Sequence, residues 1–220
     1  MLLRWVALSL REKLRLLVIT DKKLKPSIVK AVEDALKGGA TSIQLRLKDS
    51  STSEMIEVGK DIRRLTRDYG ALYFVDDRLD IALATNADGV QLGPGDMPID
   101  IARELAPNLI IGGSAYSLEE AIRVEREGAD FIGAGSVFPS LTKTDARVIG
   151  LDGLRKIVER TRIPVVAIGG INASNAEAVL RTGVVGIAVI SAVMGAEDVY
   201  RATLELRKIV DMVLSSGKHS

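Results

Sequence analysis

Several residue types that often carry enzyme chemistry are absent or scarce in this chain. It has no cysteine, which excludes disulfide bonds, thiolate metal sites and cysteine nucleophiles. Its single histidine, His219, lies in the C-terminal segment "SSGKHS", so histidine acid–base catalysis is not expected. Aromatic residues make up 4% of the sequence and the net charge is +1, which argues against nucleic-acid binding.

Long hydrophobic runs are also missing. No stretch approaches the roughly 18 apolar residues of a membrane span. The N-terminal segment "MLLRWVALSLREKLR" is interrupted by Arg4 and lacks a small-residue cleavage site, so we do not expect a signal peptide. Together with the absence of cysteine, these features predict a cytoplasmic protein that binds neither membrane nor nucleic acid.

Short apolar runs, in contrast, recur along the whole chain. The 220 residues are 47% hydrophobic, which is enough for one sizeable core. Eight runs rich in β-branched residues predict strands at 16–20, 42–46, 72–76, 89–92, 109–114, 131–137, 165–170 and 186–191. Segments with helical periodicity lie between them, for example at 26–37, 53–69, 118–127 and 153–160.

Strict alternation of strands and helices is typical of a parallel sheet, either open and doubly wound or closed into a barrel. Eight units in about 200 residues favour a single-domain (β/α)8 TIM barrel of the α/β class over residues 1–220. Within it, residues 1–14 are expected to form an N-terminal extension or helix, and residues 215–220 a flexible tail. Because such barrels place the active site at the carboxyl ends of the strands, the residues after each strand are the candidate site residues.

The second predicted strand ends in polar side chains. Gln44, Arg46 and Lys48 alternate in "QLRLK" and therefore project to one side of the strand. Cations are costly on a buried face unless an anion meets them, so this stretch predicts an anion site. Asp21, after the first strand, is more simply interpreted as the cap of the following helix.

Carboxylates follow the third and fourth strands. Asp76 and Asp77 end "LYFVDD", and Asp96 lies in the loop "GPGDMP". Mg²⁺ is typically bound by one or two carboxylates together with water and substrate phosphate oxygens. An ion pair with Arg78 could account for one of these aspartates, but not for Asp77 and Asp96 together. The two therefore predict a magnesium site.

The remaining loops offer groups that bind phosphate. Ser114 either donates to a phosphate or caps the next helix, and loop six, "FPSLTKTDARVIG", is long and polar. Phosphate sites of barrels are frequently built from the loops after strands seven and eight, where glycine allows close backbone approach. The candidate phosphate ligands are Ser114, Ser140, Thr142, Lys143, Gly170, Ile190 and Ser191.

Two anion sites, a metal site and no general base of ordinary pKa indicate a reaction limited by charge separation. The pattern favours a transferase from which diphosphate leaves while a second phosphorylated small molecule is held as nucleophile. The residues alone do not identify the two molecules.

The ordered blocks that carry these residues resemble the thiamine phosphate synthase (thiamine-phosphate pyrophosphorylase) family. They are "VITD", "IQLRLK", "VDDRLDIALATNADGVQLGPGDMP", "GGSAYSLEEA", "ADFIGAGSVFPSLTKTDA", "VVAIGGI" and "GIAVISAV". The resemblance implies an enzyme that joins 4-amino-5-hydroxymethyl-2-methylpyrimidine diphosphate to 4-methyl-5-(2-phosphoethyl)thiazole. It releases pyrophosphate in a dissociative, Mg²⁺-assisted reaction.

The resemblance also implies a role for each position. The pyrimidine diphosphate would be bound by Gln44, Leu45, Arg46, Leu47, Lys48, Asp76, Ser114 and Lys143, with Arg46, Ser114 and Lys143 as the catalytic residues. The thiazole phosphate would be bound by Ser140, Leu141, Thr142, Gly170, Ile190 and Ser191. Mg²⁺ would be bound by Asp77 and Asp96.

Four positions depart from the family pattern. Asp76 stands where asparagine is common, Gln91 and Tyr116 where histidines are common, and Ser140 where threonine is usual. Two alternatives stay open: a related thiazole tautomerase, which needs a histidine at the position of Ser136, and a non-catalytic barrel that binds thiazole phosphate. The sequence leaves the oligomeric state open, with a homo-oligomer among the options.

Overall fold

A computed structural model describes residues 10–139 and 147–216 of the chain. Within them, eight parallel strands form a closed barrel in which each strand pairs with its neighbours in chain order and the last pairs with the first. The predicted (β/α)8 barrel is therefore confirmed. The strands are β1 (Leu16–Ile19), β2 (Ser42–Leu45), β3 (Leu72–Asp76), β4 (Gly89–Leu92), β5 (Ile110–Ala115), β6 (Phe131–Ala134), β7 (Val165–Ile168) and β8 (Gly186–Val189).

Helices connect the strands on the outside of the barrel. They are α1 (Ile28–Lys37), α2 (Thr52–Asp68), α3 (Leu79–Ala84), α4 (Ile99–Leu105), α5 (Leu118–Arg126), α6 (Gly150–Arg160), α7 (Ala176–Leu180), α8 (Ser191–Met194) and α9 (Val199–Ser216). A helical turn at residues 10–13 precedes β1. In the described ranges, no helix combines the length and the apolar character that a membrane crossing requires.

Alternating strand residues form two hydrophobic cores. One set faces outward and packs with the helices, and the other fills the barrel. Inside the barrel the rings of Phe74 and Phe131 meet edge to face, with centroids 5.4 Å apart. This apolar layer closes the barrel from below, so the polar side chains above it lie in a cavity with a hydrophobic floor.

An aspartate before β4 fixes the start of two neighbouring strands. Asp88 Oδ2 accepts hydrogen bonds from the backbone N–H of Tyr73, at 2.8 Å, and from Arg63 Nη1, at 2.5 Å. Asp130 makes the equivalent backbone bond to Ile111 N before β6. These pairs tie the amino ends of the strands together, at the end of the barrel opposite the candidate site residues.

Tyr73 on β3 is fully buried behind helix α2. An added Cβ at Gly59, in the middle of α2, would lie 2.6 Å from the Tyr73 hydroxyl, so the glycine leaves the space that the ring occupies. Burial raises the pKa of Tyr73 to about 12, and the neighbouring Thr85 hydroxyl only partly opposes that shift.

Candidate active site

A cavity opens at the carboxyl ends of the strands, and all eight strands contribute to its lining. Its two sides differ in character. The side chains contributed by β2 to β5 at the upper inward positions are polar, namely Gln44, Asp76, Gln91 and Ser114. The opposite side is apolar and is formed by Ile19, Ile168 and Ile190. The cavity therefore offers hydrogen-bonding groups on one side and a hydrophobic surface on the other.

Arg46 is the buried cation of this cavity. Its side chain is only 7% exposed, and its Nη1 donates to Asp21 Oδ2 at 3.0 Å. The Asp76 carboxylate lies beside it, with Oδ2 3.5 Å from Nε. Nε is nevertheless buried without a hydrogen bond among the described residues. Because a buried guanidinium normally has its donors satisfied, this arrangement indicates an anion site with capacity left for a ligand.

The prediction that Asp21 caps a helix is wrong. Its Oδ1 accepts from Lys23 N at 2.9 Å and its Oδ2 pairs with Arg46, whereas α1 begins further along the chain at Ile28 after Ser27. Asp21 is one of the buried polar residues of the protein. It lies behind the cavity wall as the partner of Arg46, rather than at a helix end.

Asp76 has partners on the neighbouring strand. Its Oδ1 accepts from Gln44 Nε2 at 2.5 Å, and its Oδ2 faces Arg46. The carboxylate that replaces the common asparagine therefore lies between an amide donor and a cation. Its negative charge is offset within the protein, so it does not oppose a bound diphosphate as an isolated charge would.

The other predicted residues of this stretch lie outside the cavity. Leu45 and Leu47 are buried in the core between barrel and helices, so only their backbone could meet a ligand. Lys48 is exposed and lies in a turn, because β2 ends at Leu45 and the alternation of side chains stops soon after it.

Gln91 is a site residue for which sequence reasoning assigned no role. It is 8% exposed, and its Nε2 donates to Ser114 Oγ at 3.0 Å. Two glycines make room for its amide, since an added Cβ would lie 2.1 Å from Oε1 at Gly112 and 2.9 Å from Nε2 at Gly133. The hydrogen bond from Gln91 holds the Ser114 hydroxyl at the cavity wall. Glycines inside strands often mark such close approaches, and this signal was present in the sequence.

Tyr116 also lines the cavity, just after β5. Its backbone N–H donates to Glu120 Oε2 at 2.6 Å, and Ser117, not Ser114, caps helix α5 by accepting from Glu120 N. The helix cap therefore fixes the chain segment from which Tyr116 reaches the cavity.

The two predicted metal ligands follow neighbouring strands. Asp77 is exposed, adopts a left-handed backbone conformation with φ of 64°, and donates its N–H to Gln91 O at 2.9 Å. Asp96 Oδ2 accepts from Gly93 N at 2.6 Å, which folds the loop around this carboxylate. Over residues 10–139 and 147–216 there is no cluster of three or more acidic or histidine ligands. A pair of carboxylates suits Mg²⁺, which takes its other ligands from water and phosphate, better than it suits a metal bound entirely by protein.

Glycine allows loop six to approach the end of β7. Gly169 and Gly170 have φ of 100° and 66°, and a Cβ at Gly170 would lie 2.6 Å from Pro139 O. Val137 N donates to Ile168 O at 2.9 Å, and Phe138 N donates to Gly169 O at 3.1 Å. The beginning of loop six is thereby held beside the cavity.

The structure brings part of the predicted thiazole phosphate site together. Gly170, Ile190 and Ser191 all line the cavity, with Ser191 exposed at the start of α8. The other predicted residues of loop six, Ser140, Leu141, Thr142 and Lys143, lie outside the described residues.

Comparisons with known proteins identify the family of the chain. Residues 16–193 match the model of the family described as thiamine monophosphate synthase. The chain is 69% identical to the thiamine-phosphate synthase of Pyrococcus furiosus over 207 residues, which are 94% of this chain and all of that protein. It is 51% identical to that of Methanococcus maripaludis, over 92% of this chain and 98% of that protein.

Solved structures give the same result. The thiamine phosphate pyrophosphorylase from Pyrococcus furiosus superposes with a TM-score of 0.90 and 68% identity, covering 93% of this chain and 99% of that one. A 3-hexulose-6-phosphate synthase, with 23% identity and a TM-score of 0.64, shares the fold alone. The chain therefore belongs to the thiamine monophosphate synthase family, and the prediction that it is an enzyme of thiamine phosphate synthesis is confirmed.

Proposed function

We propose that this enzyme condenses 4-amino-5-hydroxymethyl-2-methylpyrimidine diphosphate with 4-methyl-5-(2-phosphoethyl)thiazole, giving thiamine phosphate and pyrophosphate. The observation that supports this reaction best is Arg46, a buried guanidinium in the cavity wall whose Nε has no hydrogen bond among the described residues. A diphosphate supplies the anionic oxygens that such a group requires.

The two sides of the cavity suit the two substrates. The amide groups of Gln44 and Gln91 can exchange hydrogen bonds with an aminopyrimidine, which carries both donors and acceptors. The apolar side, with Ile168 and Ile190, suits the methylthiazole ring, and the backbone of Gly170 and Ser191 lies close by for its phosphate. Both rings would then meet above the floor formed by Phe131.

The proposed reaction needs no protein base. The bond between the pyrimidine methylene carbon and the diphosphate oxygen breaks, and its electron pair leaves with the diphosphate. The lone pair of the thiazole nitrogen then forms the new carbon–nitrogen bond, and no proton is transferred. Among described residues, the ionisable side chains that line the cavity are Arg46, Asp76 and Tyr116, and Arg46 and Asp76 are paired with each other.

The chain's own contribution is to bind and stabilise the leaving group. Arg46 and the Ser114 hydroxyl would donate to the departing diphosphate, with Lys143 added from loop six. Mg²⁺ held by Asp77 and Asp96 would offset the remaining negative charge of the diphosphate as it leaves.

A thiazole tautomerase is a poorer fit to the cavity. The family resemblance places a required histidine at the position of Ser136. Here the Ser136 hydroxyl donates to Phe138 O at 2.6 Å, which engages its proton within its own loop. It does not offer a general base to a ligand.

The proposal is tested with purified protein and both substrates, alone and together. We expect thiamine phosphate and pyrophosphate in a 1:1 ratio only when both substrates are present, measured by mass spectrometry and a coupled pyrophosphate assay. Tight binding of thiazole phosphate without any product would instead support the non-catalytic alternative.

A further inference from the structure

The contact between Asp21 and Arg46 has no role in the reaction as proposed so far. The two residues lie on neighbouring strand ends, because β1 and β2 are parallel and Ile19 is in register with Gln44. Two residues further along each chain segment, Asp21 and Arg46 are still side by side, and Asp21 Oδ2 lies 3.0 Å from Arg46 Nη1. Of the two, Arg46 lines the cavity, and Asp21 contacts it from the neighbouring segment.

The backbone and the guanidinium of Arg46 are both held by residues that follow β1. At the backbone, Thr20 Oγ1 accepts from Arg46 N at 2.9 Å and donates to Arg46 O at 3.1 Å. At the guanidinium, Asp21 provides the single hydrogen bond found among the described residues. Asp21 is itself held, because its other oxygen accepts from Lys23 N. Arg46 therefore has one defined orientation before any substrate arrives.

The second carboxylate beside Arg46 does not take over this role. Asp76 Oδ2 is 3.5 Å from Nε, longer than a good charged hydrogen bond, and its other oxygen is engaged by Gln44. Nη1 of the guanidinium is used by Asp21, while Nε is buried without a hydrogen bond to described residues. The guanidinium therefore keeps donor capacity for a ligand in the cavity.

We propose that Asp21 is a positioning residue for the diphosphate subsite: it holds the Arg46 guanidinium so that its remaining N–H groups meet the diphosphate. This inference rests on the proposed function of the cavity. It assigns Asp21 an effect on one substrate only, because Arg46 serves the diphosphate and not the thiazole. Preorganised donors lose much of their benefit when the group that orients them is removed.

The test uses Asp21→Asn, which keeps the acceptor for Lys23 N and replaces the oxygen that binds Arg46. We expect KM for the pyrimidine diphosphate to rise about ten- to a hundredfold, as for the loss of a charged hydrogen bond, with KM for the thiazole phosphate within about twofold. Asp21→Ser, which also keeps an acceptor for the turn, should give the same pattern. Equal changes in both KM values, or none, would overturn the inference.

A double-mutant cycle separates positioning from general weakening of the fold. Binding of inorganic pyrophosphate is measured by calorimetry for the wild type, Asp21→Asn, Arg46→Gln and the double variant. We expect Asp21→Asn to weaken binding in the presence of Arg46 and to change it by less than about twofold in the Arg46→Gln background. An equal loss in both backgrounds would contradict the positioning role.

The matched control is Asp88→Asn, which alters a carboxylate that also pairs with an arginine and a backbone N–H but at the other end of the barrel. It should lower the melting temperature without changing pyrophosphate affinity. The binding cycle does not depend on turnover. If no thiamine phosphate forms but the coupling between Asp21 and Arg46 is observed, the proposed reaction fails while the positioning role stands.

Discussion

Replacing Asp76 by asparagine tests how the cavity accommodates an acid beside a diphosphate site. The substitution is nearly isosteric, and the amide oxygen can still accept from Gln44 Nε2, which now lies 2.5 Å from Asp76 Oδ1. What disappears is the charge that lies 3.5 Å from Arg46 Nε. Arg46 keeps its bond to Asp21, so it does not become an unpaired buried cation.

The magnitude follows from these distances. At an effective dielectric constant of 20, two charges about 4 Å apart attract by about 4 kcal/mol before desolvation is counted. Desolvation of a buried carboxylate cancels much of this attraction, and the 3.5 Å contact lacks good hydrogen-bond geometry. We therefore expect Asp76→Asn to lower the free energy of unfolding by about 1 kcal/mol, and Asp21→Asn, which loses a true charged hydrogen bond, by about 1.5–3 kcal/mol.

Activity should respond little to the same change. Steady-state assays with both substrates should give kcat/KM for Asp76→Asn within about tenfold of the wild type. Denaturant unfolding of both variants gives the order of stabilities. A loss of activity of 10²-fold or more, restored by raised Mg²⁺, would refute this reasoning and make Asp76 a metal ligand.

Three further predictions concern the loop-six lysine, the cavity floor and a buried tyrosine. Lys143→Ala should lower kcat about 10²-fold or more through loss of a donor to the leaving diphosphate, and wild-type turnover would exclude that role. Gly112→Ala should destabilise the protein by about 1–3 kcal/mol in denaturant unfolding, because the new Cβ would lie 2.3 Å from the buried ring of Phe131. In Gly133→Ala the new Cβ would lie 2.9 Å from the flexible Gln91 amide, so the loss of stability should be smaller. Equal losses for the two variants would contradict this explanation. Tyr73, with a folded pKa of about 12, stays neutral while the unfolded chain ionises near pH 10. Stability should therefore be fully present below pH 10 and fall by roughly 3 kcal/mol between pH 10 and pH 12, and Tyr73→Phe should remove that loss in unfolding curves recorded across this range.

The barrel could be predicted from the sequence because its signals are local. Apolar runs of four to six residues give the strands, and helical periodicity with glycine ends gives the connections. Several predicted strands ran too far at their carboxyl ends, as at 165–170 against Val165–Ile168, because Gly169 and Gly170 carry no side chain that would mark the end of the strand. Residues that directly follow the last paired residue of a strand, such as Gly169 and Gly170, line the cavity.

The site could be predicted only where a position alone indicates a role. Gln44, Arg46, Asp76 and Ser114 follow strands and do meet in one cavity. Pairs of residues could not be predicted in this way. Asp21 was assigned to a helix end because its partner lies 25 residues away on the next strand, and only the register of β1 with β2 brings them together.

The contact made by Gln91 could not be predicted for the same reason. Its contact with Ser114 joins neighbouring strands across 23 residues of sequence, and the space for its amide comes from two glycines on other strands. None of these residues by itself indicates the contact. A polar residue on one strand together with glycines at matching positions of the next strands would have indicated a long side chain lying across those strands.

The most direct test of the proposed condensation is the rate of thiamine phosphate formation as Mg²⁺ is added to chelator-treated protein with both substrates. We expect no product without metal and a saturable rise in rate as Mg²⁺ is restored. A full rate in the presence of chelator would contradict the magnesium site of Asp77 and Asp96. No product at any Mg²⁺ concentration would contradict the proposed condensation itself.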